Sequence, residues 1–194
     1  MRANRKSLGV GGPAFLAVAA LTLVAWGGKP AAQPPAGFAV PEGPSAVSAE
    51  LIAEHASVQP GGSTRIGVHF ELEEGWHIYA EDPGDAGLPT TIVWEGPPWV
   101  SFGPLHWPPP QQFQDPGDIR THGYSGAVVL YSTLQYQLAG IGGQYPVPLT
   151  VHATVKWLAC KELCIPGSAE LDLSLPVSAA PPALSTHAEL FDHN

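Results

Sequence analysis

The only two cysteines of the chain, Cys160 and Cys164, sit between two stretches that alternate apolar and polar residues. Before them Val147, Leu149, Val151, Ala153, Val155 and Trp157 share one parity, and Thr150, His152, Thr154 and Lys156 the other. After them Leu171, Leu173 and Leu175 alternate with Asp172 and Ser174. A period of two sends successive side chains to opposite faces, so each stretch reads as a strand with one buried face. Pro166-Gly167 punctuates the space between them. The pattern predicts a hairpin-like pair of strands with a dithiol at its connection. The rest of the chain reads as scaffold and cover for that pair.

Upstream, Ser63 to Leu72 alternates in the same way, with Ile66, Val68, Phe70 and Leu72 opposed to Arg65, His69 and Glu71. Further strands are expected at Val47 to His55, Trp76 to Ala80, Pro89 to Glu95 and Trp99 to Trp107, the last ended by Pro108-Pro109-Pro110. Glu81 to Gly87 carries turn chemistry throughout. Gln111 to Gly123 reads as a polar loop bearing one aromatic, Phe113, and Tyr124 to Leu138 as a single long β-rich stretch closed by a turn at Gly140 to Gly143. With 22 glycines and 22 prolines as punctuation, seven to nine short strands are expected. The fold class is all-β: an immunoglobulin-like antiparallel β-sandwich. A chain of 194 residues holds one such domain and a leader. The domain is placed at residues 45–178, followed by a flexible tail, 179–194, with a short helix at Thr186 to Phe191.

The start of the chain has the layout of an export signal. Arg2, Arg5 and Lys6 precede an uncharged run from Leu8 to Trp26, and Ala25-Trp26-Gly27 offers a small-x-small cleavage pattern. Residues 1–28 are therefore expected to direct export as a signal peptide, with an uncleaved anchor as the competing reading. Residues 29–44, rich in Pro and Ala, form a linker. No cysteine follows the apolar run closely enough to carry a lipid. The expected location is periplasmic or otherwise extracytoplasmic. Three of the eight basic residues lie before Gly28, leaving five against 17 acidic ones. A chain this acidic has no surface to neutralise a phosphate backbone, so nucleic acid is excluded as a partner.

Three chemistries fit the cysteine pair. A structural staple suits an oxidising compartment, although closing so short a loop contributes only about 2 kcal/mol. A metal site would need further ligands, yet no second cysteine pair or spaced histidine pair exists, and Met1 is the only methionine. A redox-active dithiol needs one thiol to attack a partner's disulfide and a second nearby to resolve the mixed disulfide.

Several separated segments bear on that choice. Trp157-Leu158-Ala159-Cys160-Lys161-Glu162-Leu163-Cys164-Ile165-Pro166-Gly167 resembles the dithiol segment of the N-terminal periplasmic domain in the DsbD/ScsB family of thiol:disulfide interchange proteins. Gly75 to Tyr79, Pro83 to Thr91, Trp107-Pro108 and His122 to Gly126 resemble other strands of that domain, so the likeness runs from about Ser45 to Val177. The three-residue cysteine spacing followed by Ile-Pro-Gly is closer to the ScsB-like branch.

The resemblance implies an immunoglobulin-like fold with a redox-active disulfide, Cys160–Cys164, between adjacent strands and no other cofactor. It implies Cys164 as the attacking thiol and Cys160 as the resolving one. Family members shield the dithiol with an aromatic cap, matched here by Phe113, with Tyr79 and Tyr124 as supporting aromatics. The implied partners are thioredoxin-like periplasmic proteins and, as electron donor, a membrane-embedded thiol reductase. Family members continue into a membrane domain, so this chain is expected either to work as a detached shuttle or to be a truncated relative. The rival function is a non-catalytic secreted binding module with an inert disulfide. Lys156 and Lys161 would lower a thiol pKa and Glu162 would raise it. His69, His77, His106 and His122 are read as separate surface or core residues, Trp76, Trp94, Trp99 and Trp107 as packing, and Asp82 and Asp85 as turn caps.

Overall fold

A computed structural model of the chain describes residues 46–115, 117–137 and 148–192. The expected signal, the linker and the turn at 140–143 lie outside these residues. No helix among the described residues is long and apolar enough to cross a membrane.

The strand pattern closes into two antiparallel sheets. One has four strands in the order β1 (Val47–Ala53), β2 (Ser63–Leu72), β8 (Ala127–Tyr136) and β5 (Val100–Phe102). The other runs β10 (Cys164–Leu175), β9 (Leu149–Cys160), β3 (His77–Gly84), β7 (Ile119–Ser125) and β6 (Gln111–Asp115), with β4 (Thr91–Glu95) also paired to β9. The alternating apolar residues supply both inner faces. Val68, Phe70 and Leu130 of the first sheet meet Ile78, Ala153 and Val155 of the second in one cluster. Ile66, Leu134 and Tyr136 meet Leu149, Val151 and Leu175 in a neighbouring one. This is the expected all-β sandwich, since each amphipathic sheet can hide its apolar face only against the other.

Three local expectations are corrected. Residues 111–123 are not a loop: β6 and β7 form a hairpin in which Gln111 pairs with Gly123 and Phe113 with Thr121. Its outer strand is an edge, where glutamines are tolerated because no second sheet covers them. Tyr124 to Leu138 is not one strand either, because Gly126 takes a left-handed φ of 72° and turns β7 into β8. Strand β3 continues through Asp82-Pro83 to Gly84, past a register shift between Tyr79 and Gly84. Within that stretch Asp82 accepts from the Gly84 N–H at 3.0 Å and Asp85 from the Arg120 N–H at 2.9 Å, so both carboxylates do cap backbone groups.

Residues 179–192, expected as a tail, lie against the outer face of the first sheet. Leu184 bridges to His55, and a 3₁₀ turn at Ala188–Phe191 buries Phe191 with Ile52 and Val129. Ile52 and Val129 point outward by parity, so that face carries an apolar patch that something must cover. Arg65 secures the cover. Its guanidinium pairs with Glu54 and Asp192, each at 2.7 Å, donates to the Phe191 carbonyl at 3.1 Å and lies over the Tyr131 ring. The hydrogen bond from Arg65 holds the Glu54 carboxyl below the usual carboxylate range.

Candidate functional site

The register around the cysteines is set by the β9–β10 hairpin, in which Cys160 is directly opposite Cys164, followed by Ala159 opposite Ile165 and Leu158 opposite Pro166. A disulfide joins Cys160 to Cys164. On its other side β9 meets β3, where Cys160 pairs with His77 and Ala159 with Ile78. Strand β3 then meets β7, where His77 pairs with Ser125, Ile78 with Tyr124 and Tyr79 with Gly123. Directly paired residues share a face, as do residues two apart on one strand. Cys164, Cys160, His77, Tyr79, Thr121 and Phe113 therefore project from the outward face of this sheet. Ile78, Ala159 and Tyr124 project into the core.

This parity sorts the expected site residues. Tyr79 belongs to the disulfide. Its hydroxyl donates to Cys160 Sγ at 3.1 Å and lies 3.9 Å from Cys164 Sγ. Phe113 stacks on His77 with ring centroids 4.4 Å apart, and His77 meets Tyr79 edge-on at 5.2 Å. Tyr124 does not join them. It packs in the core cluster with Ile78, and its hydroxyl donates to the Pro108 carbonyl at 2.8 Å. Burial, with the negative charge of Glu81 as a lesser cause, raises its pKa to about 12. The side chain read as a supporting aromatic is a core residue one position out of phase with the sulfurs.

An outward sheet face is ordinarily wet, yet here it is dry. Cys160 is 3% exposed, Tyr79 2% and His77 5%. Gly87 lies over Tyr79 and Phe113 over His77. Gly87 passes so close over the Tyr79 ring that a Cβ there would fall 2.4 Å from a ring carbon. Thr90 donates its hydroxyl to the Tyr79 carbonyl at 3.0 Å. Gly123 lets the β7 backbone approach that of β3, since a Cβ on it would lie 2.1 Å from the Ile78 carbonyl oxygen. Cys164, in contrast, is exposed. The bridge thus has one sulfur open to a visitor and one sealed beneath aromatics.

Cys164 is flanked in the chain by Leu163 and by Ile165, the latter on the opposite face of the hairpin because it pairs with Ala159. Leu163 is 77% exposed, and Ile165 and Leu88 are also exposed. Along the outward face of the hairpin runs a groove of about 640 Å³, lined by Leu88, Pro89, Leu158, Pro166 and Gly167 among others. Lys161, expected to act on the thiols, donates its ammonium to the Glu74 carbonyl at 3.0 Å. Lys156 lies four residues before Cys160, opposite Ser168. Further along the same face His152 is held between Asp172 at 2.9 Å and Glu170 at 2.8 Å. These hydrogen bonds, that to Asp172 first, raise its pKa. Among the described residues no group of three or more His, Cys, Asp or Glu side chains is disposed to hold a metal ion.

Sequence reasoning missed the contributions of His77, Gly87, Thr90 and Gly123. The pairing of β3 with β9 spans about eighty residues of chain, and alternation within a strand carries no record of its neighbour.

A dithiol closing a strand pair in a two-sheet sandwich matches one family throughout the domain. The family model for the N-terminal part of the thiol:disulfide interchange protein DsbD covers residues 48–176. The chain belongs to that family. The DsbD N-terminal family members are thiol:disulfide interchange domains, and the Cys160–Cys164 pair is the dithiol this one carries. Among solved structures, the N-terminal periplasmic domain of ScsB from Proteus mirabilis is 23% identical with a TM-score of 0.53, covering 75% of this chain and 51% of that one. This chain thus spans about half the length of the ScsB domain, and the likeness bears on fold. The reduced DsbD N-terminal domain of Neisseria meningitidis is 18% identical with a TM-score of 0.34, covering 65% of this chain and 86% of that one. A search of curated proteins finds no significant match.

Proposed function

We propose that this DsbD-type domain is an extracytoplasmic electron relay that reduces protein disulfides through Cys160 and Cys164. The observation that carries the reading is the asymmetry of the bridge, with Cys164 exposed and Cys160 buried. In the reduced state Cys164 attacks a partner disulfide, and Cys160 then attacks Cys164 Sγ to free the reduced partner. Two exposed apolar side chains support a protein as that partner, Leu163 next to Cys164 in the chain and Leu88 in the groove along Leu158 and Pro166, since exposed apolar surface marks interaction sites. Thioredoxin-like proteins are the proposed recipients, and a membrane-embedded thiol reductase the proposed donor. Export by residues 1–28 would place the domain in the periplasm, the location named for the ScsB relative.

The deciding experiment is the reduction potential of the Cys160–Cys164 couple, equilibrated against glutathione and thioredoxin. A value between roughly −270 and −180 mV belongs to exchange-active dithiols. A value below about −300 mV, with a bridge that resists reduction in the folded state, would make it a staple and the domain a binding module.

Phe113 is the proposed shield. Stacked on His77, it helps close the outward face above the buried sulfur. The Phe113→Ala variant should react with small oxidants a few-fold faster in its reduced form, because oxidation follows access to the thiolate. Stopped-flow oxidation by hydrogen peroxide measures it, and an unchanged rate would sink the shield.

A further inference from the structure

Any exchange at a disulfide ends with one sulfur displaced as a thiolate, and the reaction slows as the pKa of that leaving thiol rises. Access decides which sulfur it is. An incoming thiolate reaches exposed Cys164, so Cys160 is displaced, and Cys160 is left 3% exposed, where water cannot solvate its charge. Burial of this kind raises a thiol's pKa. Unrelieved, it would make the bridge a poor electron acceptor.

The group placed to relieve it is the Tyr79 hydroxyl, which donates to Cys160 Sγ at 3.1 Å from a side chain 2% exposed. The ring has little freedom to turn away. Gly87 crosses it at contact distance, His77 abuts it edge-on, and Thr90 ties down its carbonyl. A hydrogen bond to an ionised acceptor is about twice as strong as one to a neutral group, so this donor holds the thiolate more tightly than the disulfide. That difference favours the bond-breaking step.

We infer that Tyr79 is a catalytic residue of the exchange, its hydroxyl stabilising Cys160 as the displaced and the resolving thiolate; this rests on the relay reading. When the domain is reduced, a donor dithiol's thiolate sulfur bonds to Cys164 Sγ and the Cys160–Cys164 bond breaks. The electron pair of that bond goes to Cys160 Sγ, where the Tyr79 O–H meets it and keeps its own proton. The donor's second thiolate then closes the donor disulfide and releases Cys164 as a thiolate. Two electrons have entered the domain, and solvent supplies any protons the two sulfurs take up. In the opposite direction the Cys160 thiolate held by Tyr79 attacks Cys164 Sγ in the mixed disulfide and expels the partner's thiolate.

The test compares the full chain with its Tyr79→Phe variant, which keeps the ring and removes only the donor. Reduction by dithiothreitol is followed across pH 6–10, and thiolate formation in the reduced protein by absorbance at 240 nm. Thermal unfolding checks that the variant is folded. The expected result is a reduction rate about tenfold lower at neutral pH, with a thiolate titration moved up by about one unit, the shift equivalent to that factor. Wild-type rate and titration in a folded variant would overturn the role of Tyr79 and leave the relay standing. A wild-type bridge that dithiothreitol cannot reduce in the folded state would overturn the relay, and this inference with it. A slower rate with an unmoved titration would assign Tyr79 to packing alone and also overturn the inference.

Discussion

The Cys160→Ser variant will accumulate as a mixed disulfide with an oxidised thioredoxin-like protein, whereas Cys164→Ser will form none. Attack needs an accessible thiolate, and only Cys164 is exposed. Resolution needs a second sulfur at the same place, and Cys160 is bonded to it across one rung of the hairpin. With Cys160 replaced, the first step proceeds and the second has no nucleophile. Either substitution should lower turnover of a protein disulfide about a hundredfold or more, as loss of a nucleophile does. Non-reducing electrophoresis and intact-mass measurement separate the two. Trapping by Cys164→Ser instead would reverse the assignment, and trapping by neither would leave the exchange reading without support.

Gly123→Ala is expected to be the most damaging substitution outside the cysteines. The added methyl carbon would lie 2.1 Å from the Ile78 carbonyl oxygen, a backbone atom that cannot swing aside. Relief requires β3 and β7 to separate where Ile78 pairs with Tyr124 and Tyr79 with Gly123. The cost should be about 3 kcal/mol, in the range of overpacking in a close-packed interior. For a domain of this size that lowers Tm by roughly 6–12 °C. Gly103→Ala is the control, because its nearest neighbour would be 3.7 Å from the new carbon. Scanning calorimetry of both variants decides the matter: equal midpoints would mean the β3–β7 contact is softer than its geometry implies.

What the alternation could reveal was the strands and their inner faces. Ser63 to Leu72 and Leu149 to Leu175 behave as their spacing requires, because a strand half buried in a sandwich repeats every two residues. The cysteines fall at the closed end of that second pair, and their mutual nearness was legible from it. The surroundings were not. Tyr124 and Tyr79 look alike as aromatics near a candidate site, yet β3 meets β7 with Tyr124 opposite Ile78, which turns it inward. His77 looked like one of several scattered histidines until β3 paired with β9 and set it opposite Cys160. The β6–β7 hairpin was hidden because an edge strand of glutamines carries no apolar period. Residues 179–192 carry no strand or core signal of their own because Pro and Ala dominate their start, while the demand for cover arises from Ile52 and Val129, far away in the chain.

One rung of a ladder carries the whole redox change. Below Cys160 and Cys164 the two strands stay in register from Ala159 opposite Ile165 down to Leu149 opposite Leu175. The disulfide is the last link in a hairpin already held closed by its backbone. Breaking it removes one covalent link and leaves the backbone pairing from the Ala159–Ile165 pair downward to hold the hairpin. Oxidised and reduced forms can therefore share the β9–β10 pairing, so the strands that position the two sulfurs need not part when the bond between them does.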